Sequence, residues 1–363
     1  MEGSPIDIIV FAPLASILGV LLFWFIQLLF IESEKYLLLK VRPKHEALCR
    51  FTNFLAILFQ TICHALGYTL TKSGISDFYI SVSYGKVAPK KEKKGIFEWI
   101  SNTFLFIGPS FIPALLLLLC LFILGCSGFE VATPTQLLEL KYTFGGQITT
   151  FGATLHAFAQ GFFGFLFKMD LLHPGHFGFL LLLIFLGMGM RPSYIGEEKQ
   201  EKVDMLYDLK NIWSFILRKP LYLLLLFLMA YVFFYISLFL DQNWYVAIFS
   251  IFGWLSIIAI ISLIIADAML LLIKTTDEIA GFWKFIPYIT LPASYVIIRL
   301  VFFYYPTDYT NIISLLVMIF STIIITYILL KSKTNKFKTE LDIKTLEKKS
   351  KGENDEGRRA VEK

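Results

Sequence analysis

Charge is what this chain has least of. Only 17% of its 363 residues are Asp, Glu, Lys or Arg, against 56% hydrophobic and a mean hydropathy of +0.68. Soluble domains carry roughly a quarter charged residues, so this balance excludes an ordinary water-soluble domain. Cysteine is scarce as well. Cys49, Cys63, Cys120 and Cys126 form no CxxC pair and no even spacing, which excludes a disulfide framework and a zinc ribbon and leaves them as small apolar residues. There is no G-x-x-x-x-G-K-[ST] phosphate loop, no G-x-G-x-x-G and no serine-hydrolase elbow, so those nucleotide-binding and hydrolase classes drop out. No aromatic-rich basic surface accompanies the net charge of +5, and no nucleic-acid partner is expected. The opening Met1–Asp7 also lacks the basic region of a cleavable signal.

What the sequence does have is long apolar runs. Runs of 18 or more apolar residues match the length a helix needs to cross a bilayer core of about 30 Å. Lipid offers backbone groups no partners, so the runs must be helical. The sequence predicts an all-α polytopic membrane protein with eight or nine transmembrane helices, and its first partner is the lipid bilayer. The spans are Ile8–Ile31, Phe51–Leu70, Thr103–Gly125, Pro220–Leu240, Trp244–Ile273, Trp283–Tyr304 and Tyr309–Leu330, with Ile148–Lys168 and His176–Met190 as a further pair. Trp213, Trp244, Trp254, Trp283 and Tyr304-Tyr305 mostly mark span ends, as an aromatic belt does.

Basic residues set orientation. Residues 191–219 carry six and the last 33 residues carry 11 against seven acids, which places both on the cytoplasmic side of a cell membrane. The N-terminal half conflicts. Residues 32–50 carry five basic residues and 72–102 carry six, yet 51–70 lies between them, so it either crosses and strands one basic loop or enters and returns. Within Asp77–Gly85, Phe78, Ile80, Val82 and Tyr84 alternate with Ser81 and Ser83. That period-2 pattern reads as a strand ended by Gly85, part of a small β-hairpin-like element over 76–88.

Chemistry concentrates in "FQTICHALGY", Phe59–Tyr68. In His-Glu-x-x-His the two imidazoles share a helix face and grip zinc, while the glutamate polarises the bound water. Here His64 stands at the second histidine, Gln60 at the first and Thr61 at the glutamate. A carboxamide is a poor zinc ligand and a hydroxyl is no general base near neutral pH. Without metal, Gln60 and His64 would hydrogen-bond each other or a neighbouring helix. His64-Ala65-Leu66-Gly67, the β element, Gly108-Pro109 and Arg191-Pro192-Ser193 follow one another in an order that resembles the intramembrane zinc proteases of the site-2 protease class. The resemblance spans Phe51 to Asp208. It implies a protease-like membrane core with a membrane-associated hairpin, a metal-ligand role for His64, and Asp204 or Asp208 as the acidic residue beyond Pro-Ser. Gln60 and Thr61 depart from it and argue against catalysis.

Other polar residues at membrane depth are weighed against plainer readings. His173-Pro174-Gly175-His176 is a turn before a span, where interfacial histidines are common. His156 shares a stripe with Gly152, Gln160 and Gly164, a small-residue pattern that reads as a helix–helix interface. Asp267 and Arg299 are ionisable residues within spans and candidates by default. Their depths differ by about 10 Å, so Arg299 is expected to reach toward the interface rather than pair with Asp267.

The expected organisation is an N-terminal span and basic loop (1–50), a protease-like core (51–219), a four-helix extension (220–330) and a charged tail (331–363). The expected function is a non-catalytic scaffold or binder of another membrane protein. The alternatives are an unconventional metalloprotease using His64, and a small-solute or ion transporter. No cofactor is expected, with zinc as the alternative.

Overall fold

The computed structural model describes residues 4–82, 84–123, 142–191, 207–279, 281–305 and 307–332. The chain is an α-helical membrane protein with, among the described residues, one two-stranded sheet. Six helices of the described residues are long and apolar enough to cross a bilayer, and a bent pair at 96–122 makes a seventh if it counts as one span. Two compact units divide the chain, Met1–Leu271 and Leu272–Lys363.

The first unit opens with a π-helical turn, Asp7–Phe11, that feeds α1, Ala12–Val41. Pro13 has no N–H and frees the carbonyl four residues back. That carbonyl, on Ile9, accepts the Tyr235 hydroxyl. Tyr231 donates to Val10 O at 2.7 Å and Tyr245 to Pro13 O. Three tyrosines from α7 (Pro220–Phe239) and α8 (Trp244–Thr276) thus satisfy the irregular start of α1. The Asp7 carboxylate accepts the Phe144 N–H at 3.1 Å and so caps the start of α4, Phe144–Lys168.

Expectation and structure part at the other end of α1. The apolar run ends at Ile31 but the helix continues through Glu32, Ser33, Glu34 and Lys35 to Val41. Of the expected basic loop at 32–50, only 42–45 lies outside helix, because α2 begins at Glu46. No glycine or proline separates Val20 from Arg42, and Lys35 pairs with Glu32 one turn back at 3.0 Å, so nothing stops the helix. α2, Glu46–Leu70, is one unbroken helix of 25 residues, about 37 Å long. It does not enter and return.

The expected hairpin-like element at 76–88 is present, with its turn inside the alternating 77–85 stretch. β1, Ile75–Ile80, pairs antiparallel with β2, Gly85–Pro89, in the register Phe78↔Val87 and Ile80↔Gly85. Val82 and Tyr84 lie in the reversal. Ser81 turns the chain: its N–H and Oγ–H both donate to Tyr84 O at 2.8 and 2.9 Å, and its Oγ accepts the Tyr84 N–H. Diagonally across the strands Lys86 meets Asp77 at 3.0 Å, and this hydrogen bond raises the pKa of the ammonium.

α3, Ile96–Ile123, bends by 60° between Leu105 and Ile107. Pro109 explains the position, since its ring crowds the carbonyl of residue 105 and its N–H is missing. α5, Pro174–Gly189, has 16 residues and is about 24 Å long, short of the bilayer core. α2, α3 and α5 pack on one another and the hairpin packs on α2. Glycine permits these approaches. A Cβ at Gly108 would lie 2.8 Å from Cys63 Cβ, one at Gly67 3.0 Å from the Ser101 backbone, and one at Gly187 2.5 Å from the Ser262 carbonyl oxygen on α8.

The small-residue stripe on α4 is not a helix–helix interface within the described residues. Gly152, His156 and Gln160 are exposed, and a Cβ at Gly152 or Gly164 would meet nothing within 4 Å. The packed face is aromatic instead: Phe151, Leu155, Phe158, Phe162 and Phe165 are buried, and Phe158 stacks on Trp254 at 5.1 Å. Larger apolar area on the other face wins.

The short helix α6, Tyr207–Arg218, precedes α7. The second unit holds the end of α8, a 3₁₀ turn at Gly281–Phe285, α9 (Ile286–Tyr304) and α10 (Thr310–Ser332). Its Thr276 and Tyr288 hydroxyls are 2.6 Å apart.

Gly187→Ala should destabilise the protein by about 1–3 kcal/mol, because the added methyl meets backbone that cannot rotate away. Gly152→Ala, whose added methyl meets nothing within 4 Å, should leave stability unchanged or raise it by up to about 1 kcal/mol. Thermal unfolding of the detergent-solubilised chain compares the two, and equal stability would rule out the close α5–α8 approach.

Candidate functional site

Asn53, Gln60 and His64 recur at seven and four residues along α2, so they lie along one helix face. Asn53 and Gln60 meet Arg191, two residues beyond the end of α5. The Gln60 Nε2 donates to the Arg191 carbonyl at 3.2 Å. The Arg191 Nη2 donates to Asn53 Oδ1 at a long 3.5 Å. Its Nε lies 3.7 Å from Glu34 Oε1, and both side chains are 0% exposed. One arginine therefore ties α1 and α2 to the end of α5.

The cluster is incompletely hydrogen-bonded. Among the described residues, neither Glu34 oxygen has a hydrogen-bond partner, nor do Arg191 Nε and Nη1. Lys35, also buried, is held by Glu32 at 3.0 Å. From α8, Asp267 acts electrostatically on Glu34. Its Oδ1 is buried without a hydrogen-bond partner among the described residues. Gln27, fully buried on α1, donates to Ser110 O of α3 at 2.8 Å.

Of the residues singled out by sequence, Gln60 and Asp267 belong to this cluster. Thr61 does not face it. Its hydroxyl donates to Ile57 O at 2.6 Å, and the hairpin closes over it so tightly that a Cβ at Gly85 would lie 2.3 Å from Thr61 Oγ1. Gln60 and His64 do not hydrogen-bond each other: His64 stacks on Tyr68 with ring centres 4.4 Å apart, and its Nε2 is buried and without a hydrogen-bond partner among the described residues. Asp204 lies outside the described residues, and Asp208 is in α6 with its side chain undescribed. His156 is exposed on α4. His176 Nδ1 accepts the Asp170 N–H at 3.0 Å, which commits that lone pair to the turn. Arg299 Nη1 donates at 2.6 Å to Asn311 Oδ1, and Asn311 is the second residue of α10 and so lies beside the loop that joins it to α9. Among the described residues, no three His, Cys, Asp or Glu side chains converge as a metal site would need.

Sequence reasoning missed Glu34, Lys35 and Arg191 because it counted them as loop charge. The available signal was the absence of any helix breaker after Ile31, which carries Glu34 onward on the same helix. Nothing local marks Arg191 as buried.

Compared with known proteins, the chain matches no family model, no curated protein and no solved structure.

Removing one partner of a buried ion pair leaves the other uncompensated, at about 3–5 kcal/mol. Arg191→Met should therefore lower stability by about 3 kcal/mol, and Arg191→Met with Glu34→Met should recover most of it. The double-mutant cycle is measured by thermal unfolding in detergent. Additive effects would show that the two residues do not interact.

Proposed function

We propose that this chain is a non-catalytic multi-pass membrane protein, laid out like the site-2 protease class, that binds or holds another membrane protein. The observation that carries the first part is Thr61. In the resemblance that position supplies the general base, and here it is a hydroxyl bonded to its own helix and covered by the hairpin. Gln60 adds to this, since its amide is engaged by the Arg191 carbonyl. The motif offers one imidazole, one occupied carboxamide and one hydroxyl, a donor set that does not fit a zinc ion. The layout rests on α2, α3 and α5 packing together with the hairpin against α2, in the chain order that carries the resemblance.

The same reading puts the chain in a plasma membrane with its C-terminus in the cytoplasm, from the basic residues of 191–219 and of the tail. Eight crossings follow if α4 joins the six clear spans and α3, and nine if α5 crosses too. A transporter is the second reading, favoured by the charges buried between α1, α8 and the end of α5.

Metal analysis of the detergent-purified chain beside His64→Ala tests the proposal. No stoichiometric zinc is expected in either sample. Zinc at one ion per chain, lost in His64→Ala, would overturn the non-catalytic reading and reinstate a metal enzyme.

A further inference from the structure

Three membrane helices end together at one polar cleft. α2 stops at Leu70, α3 starts at Ile96 and α7 starts at Pro220. Residues at these ends, with the segment that joins β2 to α3, line a cavity of about 510 Å³. That segment is lysine-rich: Lys90, Lys91, Lys93 and Lys94 surround the single acid Glu92. Its path is fixed by hydrogen bonds. The Lys90 and Lys91 N–H groups donate to the Gly74 and Ser73 carbonyls at 3.0 Å, and Lys93 Nζ donates to Thr71 O at 2.6 Å. Thr71, Ser73 and Ser101 are buried, with Thr71 Oγ1 2.9 Å from Ser73 Oγ and 3.2 Å from Ser101 Oγ. The cleft therefore has a fixed polar wall.

Its lining carries a positive excess. Lys93, Lys94 and Lys219 stand against Glu92 and Glu98. Lys219 meets Glu98 at 3.4 Å, while Lys93 donates to a carbonyl, which has no charge to match it. Lys94 and Asn102 have no hydrogen-bond or ion-pair partner among the described residues. Unspent N–H donors under positive charge suit a phosphate oxygen. The surroundings say where that phosphate comes from. Trp99 and Tyr222, with ring centres 6.0 Å apart, mark this level as a membrane–water boundary. Beside the cleft, Leu70 is 63%, Phe97 46% and Leu221 68% exposed, an apolar surface on which acyl chains can lie. We propose that this cleft binds the phosphate headgroup of an anionic phospholipid, with Lys94 and Asn102 as donors and the chains along the neighbouring apolar residues. Basic pockets between membrane helices bind anionic headgroups in this way. The proposal goes beyond the scaffold reading and does not rest on it.

Native mass spectrometry of the full chain in detergent, with phosphatidylglycerol and phosphatidylcholine added in equal amounts, tests it. The wild type should retain phosphatidylglycerol in preference. Lys94→Gln should weaken that retention about fivefold. Lys331→Gln, which removes the same charge at the end of α10, should leave it unchanged. No preference in the wild type, no loss in Lys94→Gln, or equal loss in both lysine variants overturns the site. Excess inorganic phosphate should not displace the lipid, since it has no chains for the apolar residues. Full displacement would reassign the cleft to a soluble phosphate and overturn the lipid. Lys94 is exposed, so its replacement should spare the fold; should it not, Asn102→Ala is read in the same way.

Discussion

A guanidinium with no exposure to solvent imposes conditions on everything around it. Arginine keeps its charge in proteins, so Arg191 must find acceptors where it lies. Those acceptors come from elements distant in sequence, Glu34 on α1 and Asn53 on α2. α1 must therefore remain helical past its apolar run to deliver Glu34, and α2 must turn a polar face inward. α5 must end close enough for Arg191 to enter, which Gly187 and Gly189 allow by bringing its backbone against Ser262 and the Phe59 ring. A larger residue at either position would hold the end of α5 away from the acceptors.

The same logic of buried polar groups organises the start of the chain. Pro13 and the π-helical turn release carbonyls that water cannot reach in a bilayer. Tyrosine is suited to answer them, with an apolar ring to pack and a hydroxyl to donate. Tyr231, Tyr235 and Tyr245 do this from two helices, and Tyr245 is itself 1% exposed. The two polar arrangements thus fix α1 at both ends, while the apolar residues between them need only fill space.

Helix class and most span positions were legible because hydropathy reports them directly, as with α8 at Trp244–Thr276. Helix ends were less legible. Charge at Glu32–Lys35 looked like a loop because a span ends where apolar residues do, but a helix ends only where its backbone is broken or capped. The hairpin was legible as an element but its turn was not, because alternation continues through the turn and Ser81 signals a reversal only through hydrogen bonds to Tyr84. On α4 the glycines suggested close packing, yet the phenylalanine face buries more area and sets the orientation. The site was half legible. Asp267 and Gln60 announce themselves as polar residues in apolar runs, whereas Arg191 sits in a basic stretch and its burial depends on α1 and α2, which no local pattern encodes.

Gln60 and Thr61 are not equivalent departures from the protease pattern. A histidine at 60 could still donate one ring N–H to the Arg191 carbonyl and offer the other nitrogen to a metal, an arrangement metal-bound histidines commonly use. Position 60 therefore remains compatible with the surrounding structure in either form. Position 61 does not. Its side chain points under β2, where Gly85 leaves so little space that even a methyl there would strike the Thr61 hydroxyl. A glutamate would need the hairpin to lift off α2, and with it the backbone contact that seats Gly85 against Ile57 and Thr61. The hairpin's seating on Thr61, more than the lost imidazole at 60, is what separates this core from hydrolytic chemistry under the proposed reading.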